Sequence, residues 1–184
     1  MWNKNNRCIL VLLNGRAGVG KDTFVKYCKE YAETEEISCE VYNTSRSDPG
    51  KLFLISMGWD GIKDAESRKL LKHIVDFLEN KGLLCRRLET IIDFVKKNSN
   101  SKNSIIFYHV RDPVIINKLM NKYNKTEVIP ISLLLIRNTE GKEEPENWWD
   151  VENYHYTMKV HTENKADSKN AAWEFMSTYM NILK

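Results

Sequence analysis

The segment Gly15-Arg-Ala-Gly-Val-Gly20-Lys21 constrains this chain more than any other feature, because of what stands on either side of it. Before it runs Cys8-Ile-Leu-Val-Leu-Leu13, six apolar residues with no polar alternation, the pattern of a central parallel strand covered on both faces. After it, Phe24, Val25, Cys28, Tyr31 and Ala32 recur at helical spacing, which predicts a helix over about 21–35. A strand that turns through glycines into a helix brings successive backbone N–H groups together at one point. Glycine permits the required dihedrals, and the positive end of the helix dipole adds to the pull on an anion.

The spacing Gly-x4-Gly-Lys in this context is that of a phosphate-binding P-loop. The backbone of Gly15, Ala17, Gly18, Val19, Gly20, Lys21, Asp22 and Thr23 is expected to cradle a nucleotide's phosphates, with the Lys21 ammonium reaching the β- and γ-phosphates. The usual motif has Ser or Thr directly after the lysine, to hold Mg2+, whereas this chain has Asp22 there and Thr23 one residue later. A carboxylate suits that hard cation, directly or through water, and it also suits the start of a helix as a cap; the two roles are compatible. Arg16 occupies a variable position of the loop and is read as facing solvent.

Further along, strands alternate with helices. Short strands are expected at 38–42, 104–109, 128–136 and 157–160, with helices through 47–57, 65–78 and 84–95, from Pro113 for about ten residues, and from about Asp167 onward. This order predicts a three-layer α/β fold with a central parallel sheet and helices on both faces, whose ligands gather at the carboxyl ends of the strands. One domain over 1–184 is expected, with a helical region at about 44–100. The polar stretch at about 137–153, with Gly141 and Pro145 and no apolar period, reads as a lid.

Lys and Arg outnumber Asp and Glu by only 28 to 25, too small an excess to imply a nucleic-acid or membrane surface. Cys8, Cys28, Cys39 and Cys85 form no metal-binding or disulfide pattern and are read as reduced thiols, which places the protein in the cytoplasm. The first apolar run is too short for a signal sequence or a membrane span.

Gly15-Arg-Ala-Gly-Val-Gly-Lys-Asp-Thr23 resembles the Gly-Lys-Asp-Thr form of the loop in bacteriophage deoxynucleoside monophosphate kinases and animal-type phosphomevalonate kinases. Tyr108-His-Val-Arg-Asp-Pro113 resembles a strand end that in those P-loop kinases reads Asp-Val-Arg, and Leu134-Leu-Ile-Arg137 is similar to the strand that runs into their lid. His109 stands where the relatives have Asp. The resemblance implies an ATP-dependent, Mg2+-assisted transfer of a γ-phosphoryl group to a small phosphorylated acceptor such as a nucleoside or deoxynucleoside monophosphate. It further implies that the acceptor lies in the helical region, where Arg68 and Lys51, with Lys63, are the candidate anion contacts.

Such chemistry is mostly positioning and charge neutralisation, so cations must surround the moving phosphate. Arg111 and Arg137, at the ends of predicted strands, are the candidates beside Lys21, each with the alternative of a structural arginine–carboxylate pair. His109, His155 and His161 have no metal-site spacing, and Trp148-Trp149 is read as anchoring the lid rather than stacking on a base. The rival readings are a nucleotide-binding regulator or degenerate kinase without transfer, and a kinase of a non-nucleotide phosphorylated metabolite.

Overall fold

The first apolar run forms β1 (Arg7–Gly15), in which every residue from Cys8 to Leu13 is 2% exposed or less. The structure is a computed structural model and describes residues 7–62, 64–99, 103–124, 126–137, 151 and 154–182. Four more strands join β1: β2 (Cys39–Ser45), β3 (Asn103–His109), β4 (Val128–Ile136) and β5 (Met158–His161). They form one all-parallel sheet in the order β2-β3-β1-β4-β5, with helices on both faces.

Register places Leu13 beside His109 of β3 on one side and Leu133 of β4 on the other. From β1 the chain leaves toward β2, while from its neighbour β4 it leaves toward β5. The two exits diverge at the carboxyl ends of β1 and β4, the topological switch point where sheets of this kind take their ligands. Pro130 is tolerated inside β4 because β5 pairs only with Leu133–Ile136, so the missing N–H falls where that side of β4 has no β5 partner.

Strand side chains alternate, and one face of the sheet carries Ile9, Val11 and Leu13 with Ile105, Phe107, Ile131, Leu133 and Leu135. Onto this face pack Phe24, Val25 and Cys28 of α1 (Lys21–Thr34) and Ala172, Phe175 and Met176 of the last helix, α6 (Lys165–Ile182). Phe24, Phe107 and Phe175 meet edge-on or tilted at 5.7–6.2 Å between ring centres, and these contacts fix α1 and α6 over the strand that carries the loop. α5 (Pro113–Tyr123) lies against β4.

The chain divides into two compact units: residues up to Asn43 with those from Ser99 onward, and Thr44–Asn98. The second unit holds α2 (Asp48–Ser56), α3 (Ala65–Asn80) and α4 (Leu83–Asn98). Within it, α2 meets α3 at Gly50, where a Cβ would lie 2.8 Å from Leu71 Cδ1, so any larger residue there requires the Leu71 side chain to shift. Leu52, Phe53, Ile55 and Met57 of α2 and its C-terminal turn remain more than half exposed, as do Phe77 and Phe94.

Candidate functional site

β1 ends at Gly15 and α1 begins at Lys21, and the connecting turn is built from left-handed backbone: φ is 143° at Gly15, 76° at Gly18 and 100° at Gly20. Val19 is buried beneath the turn, whereas Ala17 and Gly18 lie exposed on it. Gly20 is the N-cap of α1 and supplies no side-chain oxygen to the first turn. By contrast, carboxylates cap α3, through Asp64, and α5, through Asp112. The start of α1 thus keeps its orphan N–H groups for an outside acceptor, the arrangement a phosphate requires.

Lys21 is half-buried, and its Nζ donates to the carbonyl oxygens of Gly15 (2.6 Å) and Arg16 (2.8 Å). Burial, the nearby Arg111 guanidinium and a weaker opposing pull from Asp22 together bring its pKa down from 10.5 to about 8. Two cations held close enough to perturb one another suit a site for a polyanion. A bound polyphosphate favours the charged ammonium and raises the pKa, so binding near pH 8 to 9 takes up part of a proton and affinity falls as pH rises through about 8. Calorimetric titration with a nucleoside triphosphate in two buffers of different ionisation enthalpy measures the uptake; identical apparent enthalpies at pH 8.5 would contradict it.

Asp22 does not cap α1. Its side chain is 85% exposed, its Oδ1 accepts a 3.0 Å hydrogen bond from Asn43 Nδ2, and His109 Nε2 lies 4.0 Å from the same oxygen. A well-exposed carboxylate at the mouth of the loop is a fitting donor for Mg2+, which takes oxygen ligands and keeps several waters. Thr23, one residue on, is half-buried.

Asn14, the residue before the loop, is 2% exposed, accepts from the Gly15 N–H at 2.7 Å, and donates to the Arg111 carbonyl (3.1 Å) and to the Tyr156 hydroxyl (2.7 Å). Asp112 caps α5 through the Val114 N–H at 2.8 Å. Arg137, at the end of β4, sits over Gly20, its Nη2 3.7 Å from where a Cβ would stand. It is tied down by bonds from Nε to the Thr162 carbonyl (3.2 Å) and from Nη2 to the Asn164 carbonyl (3.4 Å) and Ser168 Oγ (3.1 Å).

The structure therefore brings Gly15, Ala17, Gly18, Val19, Gly20, Lys21, Asp22, Thr23, Arg111 and Arg137 to one end of the sheet. Asn43 and Tyr156 join them without having been singled out in the sequence. Asn43 had one legible cue, since it lies toward the carboxyl end of β2, where ligand contacts gather. Tyr156 had none.

Lys51 and Arg68 belong to the second unit. There Lys51 Nζ pairs with Asp48 Oδ1 at 2.9 Å, and Arg68 is exposed in the first turn of α3. Lys63, Trp148, Trp149 and residues 138–150 of the expected lid lie outside the described residues. No described helix is long and apolar enough to cross a membrane, and no described group of His, Cys, Asp and Glu forms a metal cluster.

No protein-family model matches this sequence, and no curated protein matches it. Among solved structures, the tunicamycin resistance protein of Deinococcus radiodurans is similar over 95% of this chain and 96% of its own, with a TM-score of 0.54 and 12% identity. The protein APE1195 is similar over 94% and 96%, with a TM-score of 0.50 and 13% identity. With the strand order and the loop between β1 and α1, the fold is that of the P-loop NTPases.

Proposed function

We propose that this chain is an ATP-dependent phosphotransferase that moves the γ-phosphoryl group to a nucleoside or deoxynucleoside monophosphate. The observation that carries the reading is the uncapped, glycine-built start of α1 with Lys21 and Arg111 held beside it. Backbone amides at that helix end offer donors to phosphate oxygens. On ligand entry Lys21 exchanges the Gly15 and Arg16 carbonyls for those oxygens, keeping its hydrogen bonds while gaining an opposite charge. Arg111 balances charge on the transferring group, and Arg137 keeps a fixed positive charge over the start of α1. Asp22 would hold Mg2+, which supplies Lewis-acid neutralisation of the phosphate oxygens when bound. Arg68 and Lys51 are the proposed acceptor contacts, 137–153 the proposed lid and the cytoplasm the proposed setting.

A second reading, a nucleotide-binding regulator without transfer, is favoured by one observation. At the end of β3 an imidazole, not a carboxylate, faces the loop's Asp22. One experiment separates the two. Radiolabelled ATP with Mg2+ is incubated with each common nucleoside and deoxynucleoside monophosphate, and label is followed into diphosphate. Transfer to any member supports the first reading; firm ATP binding with no transfer across the whole panel replaces it with the second.

A further inference from the structure

Asn14 is buried at the junction of three chain segments, and all the hydrogen bonds of its amide go to groups that frame the site. Its oxygen accepts from Gly15, so the first N–H of the loop is turned inward and the cradle begins beyond that residue. Its nitrogen donates both protons, one to the backbone of Arg111 and one to Tyr156, in the segment that leads into β5. An amide alone among side chains of this size is both acceptor and double donor. Serine, aspartate or leucine at this position leaves at least one of the three partners unmatched.

We propose that Asn14 is a positioning residue: it locks the start of the phosphate loop and the Arg111 backbone into a single frame, so that the loop amides and the Arg111 guanidinium address the same polyphosphate. This deepens, and rests on, the reading of the loop as a polyphosphate site. The Val110 N–H bond to the Leu13 carbonyl at 3.1 Å already continues the β1–β3 ladder one step past β3. Beyond that step the ladder stops, and the Asn14 bond to the Arg111 carbonyl is the next link between the two chain segments. The Gly15 N–H, a donor only, fixes which end of the amide faces the loop, and the bond to the Tyr156 hydroxyl holds the amide from the other side.

The test is a double-mutant cycle read by calorimetry with inorganic tripolyphosphate, which carries no base or sugar. Asn14→Ala is expected to weaken tripolyphosphate binding about tenfold in the parent, and by less than about threefold on an Arg111→Ala background, because the frame matters only while there is a guanidinium to place. Equal losses in both backgrounds would mean that Asn14 supports the fold and does not position Arg111, and would overturn the proposal. If Asn14→Ala does not fold, Tyr156→Phe removes one acceptor only; it should show the same dependence on Arg111 at smaller amplitude, and an additive result overturns the proposal equally. A parent protein that binds neither tripolyphosphate nor any nucleoside triphosphate would instead bring down the reading of the loop itself, which the cycle distinguishes from failure of the Asn14 frame.

Discussion

A Lys21→Ala protein will bind nucleoside triphosphates on the order of a hundredfold more weakly than the parent, as expected for two charge-assisted hydrogen bonds lost from a partly desolvated site. It will nevertheless melt no lower than the parent at neutral pH. The ammonium is desolvated by burial and stands beside another cation, Arg111, and its pKa stands at about 8 in place of 10.5. A lysine whose folded-state pKa lies below its unfolded value destabilises the fold while charged. The penalty is present in full below pH 8 and is relieved as pH rises from about 8 to 10.5. Its ceiling is about 3 kcal/mol from the size of that shift, and the bonds to Gly15 and Arg16 offset part of it. Melting curves at pH 7 and pH 9.5 check both halves: the parent should gain stability relative to the variant across that interval. A variant that holds triphosphates as firmly as the parent would remove the basis for any function assigned to this loop.

That lysine was legible because its surroundings are local in sequence, and the same holds for most of the frame. A continuous apolar run announced β1, a helical period α1, and Val128–Ile136 was read with the bounds that β4 has. Where the reading slipped, competing local chemistry explains it. β2 runs to Ser45 and not only to Tyr42, because an edge strand accommodates Asn43, Thr44 and Ser45 where a central strand demands apolar residues. α6 begins at Lys165 and not near Asp167, because Asp167 is the far half of a reciprocal cap: Asn164 Oδ1 accepts from Ala166 and Asp167, and Asp167 Oδ2 accepts from Glu163 and Asn164.

The site was less legible than the fold, and the missing part is the part that spans distance. Nothing near Arg137 in the sequence says that its guanidinium will be held by Thr162, Asn164 and Ser168, more than twenty residues on. Nor does anything near Asp22 announce Asn43 and His109. Each of these is a product of strand order, which brings separate turns to one end of the sheet. A helical period likewise predicted α3, but of its apolar residues only Val75 is fully buried. Periodicity reports a stripe, and it does not report what covers the stripe.

Gly15→Ala should be the most damaging single methyl group that can be added to this chain's phosphate loop. The backbone there has φ of 143°, and a Cβ would stand 2.7 Å from the Leu135 carbonyl oxygen and 2.9 Å from Val19 Cγ1. Leu135 is the register partner of Gly15 in β4, so the obstacle is backbone in the middle of the sheet and cannot rotate away as a side-chain end could. Relief requires β1 and β4 to part at the end that carries the loop, or the loop to change path. Backbone strain and overlap together put the cost at roughly 3 kcal/mol or more, a fall in melting temperature of roughly 6–12 °C for a chain of this size. Gly20→Ala is the control within the same loop. Its φ of 100° is also unfavourable for alanine, but the nearest atom to its Cβ is Arg137 Nη2 at 3.7 Å, an ordinary contact. That variant should lose roughly 1–2 kcal/mol from backbone strain alone. Thermal denaturation of the two proteins side by side decides the matter: if Gly15→Ala melts as high as Gly20→Ala, then the β4 backbone does not press on the start of the loop.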